Sequence, residues 1–195
     1  MRCLPTALPI TLVVALATAS PLAAQFAAQR SATPRPSAPK PLRDPDVIYV
    51  PTPFAVVDAM LDLAQVKPGD VLYDLGSGDG RIPVTASARY GIRAVGVDIN
   101  PTRIAEAKVN AAEAKLTGRV TFRNEDLFDT DIGEATVVTL YLLPELNDRL
   151  RPRLMRLLKP GTRIVSHAFG MTDWKPEATR EVEGTTVYLW RIPER

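Results

Sequence analysis

The apolar run Val71-Leu72-Tyr73-Asp74-Leu75 passes directly into Gly76-Ser77-Gly78-Asp79-Gly80, and this junction constrains the fold more than any other stretch of the chain. The first five residues read as a short strand. The glycines permit a tight turn and leave bare backbone against which a ligand can lie. Pro83 suits the first turn of a helix beginning near Arg81. A strand, a glycine loop and a helix in immediate succession form one unit of an α/β sheet.

The alternation continues on both sides of that unit. Phe54, Val57, Met60, Leu61 and Ala64 recur at helical spacing, and Lys67-Pro68-Gly69-Asp70 is expected to end their helix. Ala94–Asp98 is the next strand, and Pro101 opens a helix expected to reach about Leu116. Val120–Arg123 and Thr136–Tyr141 are strands. Pro144 starts a helix through Leu158, expected to bend at Pro152 and to stop at Lys159-Pro160-Gly161. Arg163–His167 is a fifth strand, and Arg180–Glu183 with Thr185–Ile192 forms a hairpin around Gly184. The expected fold is α/β: a doubly wound, mostly parallel seven-stranded sheet with right-handed crossovers and an antiparallel C-terminal hairpin. A hydrophobic content of 46% in 195 residues can fill one such core.

Sheets of this kind bind ligands beyond the carboxyl ends of their strands, at the switch point. The first strand delivers Asp74, Gly76, Ser77, Gly78 and Gly80 there. A dinucleotide fingerprint would require glycine at position 81, where Arg81 stands, and Asp79 would repel a pyrophosphate. A cationic or zwitterionic ligand suits the loop better. Asp98, 24 residues beyond Asp74, ends the second strand and can accept hydrogen bonds from both hydroxyls of a ribose. Asn124-Glu125-Asp126 places polar groups at the end of the third, where an adenine edge would lie.

This constellation resembles the class I S-adenosylmethionine-dependent methyltransferases over nearly all of residues 47–192. Tyr49-Val-Pro-Thr-Pro53, Asp74-Leu-Gly-Ser-Gly-Asp-Gly-Arg-Ile82, Tyr141-Leu-Leu-Pro144, Ser166-His-Ala-Phe169 and Asp173-Trp-Lys-Pro176 are similar to the ATP synthase c-subunit lysine methyltransferase-like branch. Human-type members of that branch usually carry Glu where Asp98 stands. The resemblance implies S-adenosylmethionine as cofactor, with the Asp74–Gly80 loop against its methionine part, Asp98 on the ribose and Asp126 at the adenine amino group. Asn124 is a cofactor-binding candidate from its place in the polar run at the end of the third strand. Thr52 is a candidate for the cofactor carboxylate, or else part of a rigid turn. Arg81 is expected to pair with a nearby acid.

Methyl transfer from a sulfonium is a direct in-line displacement, so positioning and desolvation can supply most of the catalysis. The acceptor is expected beside Tyr141 and Pro144, at the end of the fourth strand. Tyr141 would orient the acceptor or simply close the core. His167 is a base at the end of the fifth strand or a structural residue. Trp174 lines the acceptor pocket or forms a hydrophobic lid. The acceptor is a protein lysine by resemblance, or a small nucleophile. A noncatalytic module that binds S-adenosylmethionine or a related nucleoside stays open, and a nucleotide-dependent oxidoreductase is disfavoured by Arg81 and Asp79.

The net charge of +2 comes from charges mixed along the chain, which argues against nucleic acid as an obligatory partner. Cys3 and His167 are the only cysteine and histidine, so no disulfide framework, Cys-based metal site or multi-histidine centre is expected. A monomer is expected. Residues 1–24 read as a signal peptide: Arg2 precedes the apolar Ile10–Ala19, and Leu22-Ala23-Ala24 precedes Gln25. An apolar run of about ten residues is short of the ~20 that a spanning helix needs. The export reading places the protein in the periplasm. An uncleaved leader would instead hold it to the membrane, and a misassigned start is a third reading. Residues 25–46 read as a disordered spacer, since seven of the 18 prolines fall between Pro34 and Pro53. Residues 47–195 form the cofactor-binding domain.

Overall fold

A computed structural model describes residues 42–195; the leader and most of the spacer lie outside the described residues. The order of elements is α1 (Phe54–Leu63), β1 (Val71–Leu75), α2 (Arg81–Tyr90), β2 (Arg93–Asp98), α3 (Pro101–Glu113), β3 (Val120–Asn124), β4 (Val137–Leu140), α4 (Pro144–Leu157), β5 (Arg163–His167), β6 (Ala178–Val182) and β7 (Thr185–Arg191). They build one seven-stranded sheet in the order β3-β2-β1-β4-β5-β7-β6. Strands β1 to β5 are parallel, and β7 runs antiparallel to both β5 and β6. The chain reverses direction across the sheet between β1 and β4, so their carboxyl ends flank the switch point.

Successive strand residues face opposite sides, and the central strands β1, β4 and β5 are buried on both. Leu72, Ala94, Val120, Val137 and Val165 pack under α1, α2 and α3 with Val57, Met60, Ala86 and Ala107. Tyr73, Val95, Val138, Leu140 and Ile164 face the other way, against Leu150 and Leu154 of α4.

Two helices stop earlier than the glycine and proline signals suggest. Helix α1 ends at Leu63 because Gln65 turns left-handed, with φ 51°, and the Val66 amide donates back to the Leu61 carbonyl. Helix α3 ends at Glu113 in the same way, through Lys115 at φ 58° and a Leu116 amide bonded to the Ala111 carbonyl. Helix α4 continues through Pro152, whose missing N–H leaves the Asp148 carbonyl without its helical donor.

At the amino ends of the strands a buried ion pair braces the fold. Arg163 pairs with Asp70 and also donates to the Ala64 and Gln65 carbonyls at 3.1 and 3.0 Å. Asp70 receives the Thr136 hydroxyl at 2.7 Å. This network ties together the amino ends of the central strands, at the end of the sheet away from the site.

Candidate active site

The carboxyl ends of β1, β2 and β4 open into a cavity of about 530 Å3, within the range of about 300–1,000 Å3 typical of small-ligand and cofactor sites. Asp74, Gly76, Ser77, Asp98, Asp126, Tyr141 and Thr52 line it, together with residues 45–51, which run across its mouth.

The glycine loop is fastened by its own backbone. The Gly76 and Ser77 amides both donate to the Val97 carbonyl, at 2.8 and 2.9 Å, and the Gly80 amide closes a turn on the Ser77 carbonyl at 2.9 Å. Gly80 stands at the N-cap of α2 with φ 78°, against the Phe122 ring, where a Cβ would meet ring carbons at 2.4 Å. Gly78 has φ 52°, and its bare face is covered by Tyr49, whose ring a Cβ would meet at 2.2 Å. The expected ligand contact at Gly78 is thus taken by the chain's own tyrosine, which in turn lies under Arg103.

Asp98 accepts the Gly78 amide on one carboxylate oxygen and the Asn100 amide on the other, each at 2.8 Å. An ionised carboxylate offers roughly four acceptor positions, so these bonds orient it and still leave capacity for ribose hydroxyls. Asp74 is buried behind the loop, where it accepts the Thr139 hydroxyl at 2.6 Å. Burial, together with the charges of Asp98 and Asp79, pushes its carboxyl up to about 7 against the opposing Thr139 bond.

Asn124 and Asp126 part company. The Asn124 amide donates to the Asp98 and Ile99 carbonyls at 3.0 and 2.9 Å, a staple on the β2 turn, and Asn124 does not line the cavity. Asp126 does, and it is already engaged: Arg43 donates to it at 2.7 Å and the Phe128 amide at 2.9 Å. Burial alone would raise its pKa, but these two bonds outweigh it and hold Asp126 below the usual carboxylate range. Residues 42–46, expected from composition to be spacer, therefore include a contact to the domain.

On the acceptor side, Tyr141 lines the cavity and rests on His167, with ring centroids 3.9 Å apart; Phe169 follows at 6.2 Å. His167 is 4% exposed, shares a 3.3 Å hydrogen bond with the Thr52 hydroxyl through Nδ1, and does not line the cavity. Burial pushes its imidazole below its ordinary pKa. Pro144 is the first residue of α4, two residues beyond the lining residue Leu142, and is itself outside the lining. Trp174 packs on Trp190, whose indole donates to its carbonyl at 2.7 Å; it too lies outside the cavity lining.

Arg81 pairs with Asp79 at 2.7 Å as expected, so the acid that would repel a pyrophosphate is neutralised within the loop. Sequence reasoning misses Arg43, Arg103 and Thr139. Thr139 does carry a signal, as the one hydroxyl in the apolar Val137–Leu140 run; Arg43, among prolines, carries none.

The sheet order, the switch-point cavity and an oriented acid at the end of β2 are those of the class I methyltransferases. The matching family and a solved relative in complex with S-adenosyl-L-homocysteine make S-adenosylmethionine the cofactor. The model of the ANTKMT methyltransferase domain matches residues 74–178, and the chain belongs to that family. It is 48% identical to the protein-lysine N-methyltransferase of Saccharolobus islandicus (strain REY15A), over 77% of this chain and 96% of that one. It is 29% identical to the ATP synthase c-subunit lysine N-methyltransferase of Rattus norvegicus over 73% of this chain, and spans 65% of that protein. A crystal structure described as an RNA methyltransferase from Salinibacter ruber, in complex with S-adenosyl-L-homocysteine, shares 56% identity and a TM-score of 0.74. That match covers 75% of this chain and 95% of the other. The chain is therefore an enzyme of this family, and neither a noncatalytic binding module nor an oxidoreductase is favoured.

Proposed function

We propose that this chain methylates the ε-amine of a protein lysine, with the acceptor nitrogen brought in beside Tyr141. The observation that carries this reading is the placement of Tyr141 in the cavity lining, backed by the buried His167 ring. The names of the Saccharolobus and rat relatives support the lysine.

The Asp74–Gly80 loop, Asp98 and Asp126 would hold the cofactor, which when bound supplies a sulfonium methyl group open to direct in-line attack by a neutral amine. The remaining work falls to positioning and to exclusion of water. Leu142 and Leu146 give the cavity an apolar wall, and Tyr141 orients the acceptor. His167, whose imidazole pKa burial lowers, supports Tyr141 from behind. Thr52 holds His167 in turn, and Pro144 starts α4 beyond the Tyr141–Leu143 stretch.

The name of the Salinibacter structure favours a second reading, an RNA acceptor. Phosphates would have to displace carboxylates near the cavity, since Arg43, Arg81 and Arg103 are paired with Asp126, Asp79 and Glu106. Incubation with methyl-labelled S-adenosylmethionine and separated protein and RNA fractions of one cell decides between them. The lysine reading expects label in protein, recovered as methyl-lysine after hydrolysis. Label in RNA alone would overturn it. Export belongs to the same proposal and rests on the leader sequence: the mass of the isolated protein should show cleavage after Ala24.

A further inference from the structure

Arg81 reaches three partners at once. Its Nε and Nη2 donate to the two Asp79 carboxylate oxygens at 3.0 and 2.7 Å, and its Nη1 donates to the Thr52 carbonyl at 2.9 Å. Its guanidinium also lies over the Phe54 ring, 5.2 Å from the centroid. The Thr52 carbonyl belongs to a Pro51-Thr52-Pro53 run in which neither proline has an N–H, so the stretch cannot be held by a regular ladder. Pro53 is held as the N-cap of α1, where its carbonyl accepts the Val56 and Val57 amides. Thr52 itself is held by the Arg81 bond to its carbonyl and the His167 bond to its hydroxyl. A continuous path therefore runs from the glycine loop to the acceptor side: Asp79, Arg81, Thr52, His167 and then Tyr141.

We propose that Arg81 is a positioning residue for methyl transfer. Its planar fork ties Asp79 of the cofactor loop to the Thr52 carbonyl, and thereby fixes the Thr52 hydroxyl on His167 and the His167 ring under Tyr141. The proposal rests on the reading of Tyr141 as the acceptor-side residue. A lysine at position 81 keeps the charge but not the fork, and a single ammonium cannot reproduce the bidentate grip together with the carbonyl bond. Arg81→Lys is thus expected to behave like Arg81→Met rather than like the parent.

His167 is the only histidine, so the imidazole 15N signals of the full chain need no assignment among rivals. The experiment records those signals for the parent, Arg81→Met, Arg81→Lys and Thr52→Val. It also measures turnover with S-adenosylmethionine, using poly-L-lysine as the probe acceptor. The expected result is an Nδ1 shift in both Arg81 variants toward the position seen in Thr52→Val, with kcat lowered by about 10–100-fold, as a small misplacement of reacting groups costs. Arg81 and Asp79 also line the cofactor cavity, so the KM for S-adenosylmethionine is read beside kcat. A fall in kcat that persists at saturating cofactor is expected, and a raised KM with kcat unchanged would overturn the positioning role. An unmoved His167 signal in a folded Arg81 variant overturns the proposal, and so does a moved signal with kcat unchanged. If Arg81→Met fails to fold, as circular dichroism would show, Arg81→Lys carries the comparison. If the parent leaves poly-L-lysine unmethylated, the protein fraction that takes up label serves as acceptor in its place. Label in RNA alone means that the lysine reading fails, and the imidazole signals still decide whether Arg81 positions Thr52.

Discussion

The Asp74 carboxylate and the Thr139 hydroxyl meet at 2.6 Å across the paired strands β1 and β4, directly beneath the cofactor cavity. Asp74 is 2% exposed, and this hydroxyl is not enough to offset its burial, so it titrates at about 7. The cavity therefore carries a carboxyl that holds its proton more tightly than an ordinary aspartate.

A pH dependence of stability follows. A carboxyl raised in the folded state binds its proton more tightly there than in the unfolded chain. Its contribution is present at low pH and is lost as pH rises from about 4 to about 7. Neutral His167 has the opposite sign, since stability is lost as pH falls below its unfolded value of 6.5. Glu134, Asp70, Asp79 and Asp126 are held low and act only toward the acid end. Comparison with Asp74→Asn isolates the first effect. Relative to the parent, the variant should gain stability across that window, by a few kcal/mol in order of magnitude. Urea unfolding at a series of pH values measures this; parallel curves for the two proteins would rule it out.

Gly78→Ala should be costly for two separable reasons. The left-handed backbone at φ 52° costs about 1–2 kcal/mol for a residue with a Cβ. The Cβ would also meet the Tyr49 ring, so the tyrosine must leave the loop. In a Tyr49→Ala background only the backbone cost remains. A double-mutant cycle on unfolding free energy should therefore show a smaller loss for Gly78→Ala there than in the parent. Equal losses in both backgrounds would mean that Tyr49 is not seated on Gly78.

Much of this is legible in the strand pattern, and the places where it is not have identifiable causes. The ends of β1 and β5 follow from apolar runs bounded by turn residues, and Asp74, Asp98 and the glycines fall at strand ends by the register of those runs. The stops of α1 and α3 are hidden because Gln65 and Lys115 take a left-handed turn usually announced by glycine. Asn124 and Asp126 look alike in sequence, yet one amide is satisfied by two carbonyls of the neighbouring turn while the other residue faces the cavity. Nothing local distinguishes them. Arg43 is likewise invisible, since its partner Asp126 is 83 residues away.

The buried pair at the amino ends of the central strands should contribute measurably to stability. Removing one partner of a buried pair leaves the other charged and unpaired, at about 3–5 kcal/mol. Arg163→Met is expected to lose that much, with the loss reduced in Arg163→Met/Asp70→Leu, where neither charge remains. Chemical denaturation of the three proteins checks both values. A single variant within about 1 kcal/mol of the parent would show that the pair does not brace the sheet.

The cofactor assignment is tested most directly by calorimetric titration of the full chain and of Asp98→Ala with S-adenosylmethionine and with NAD. Asp98 is oriented by the Gly78 and Asn100 amides toward the same cavity that the glycine loop lines. The parent should bind S-adenosylmethionine and not NAD, and Asp98→Ala should lose that binding while remaining folded. Unchanged affinity in Asp98→Ala, or a parent that takes NAD in preference, would contradict the site as described.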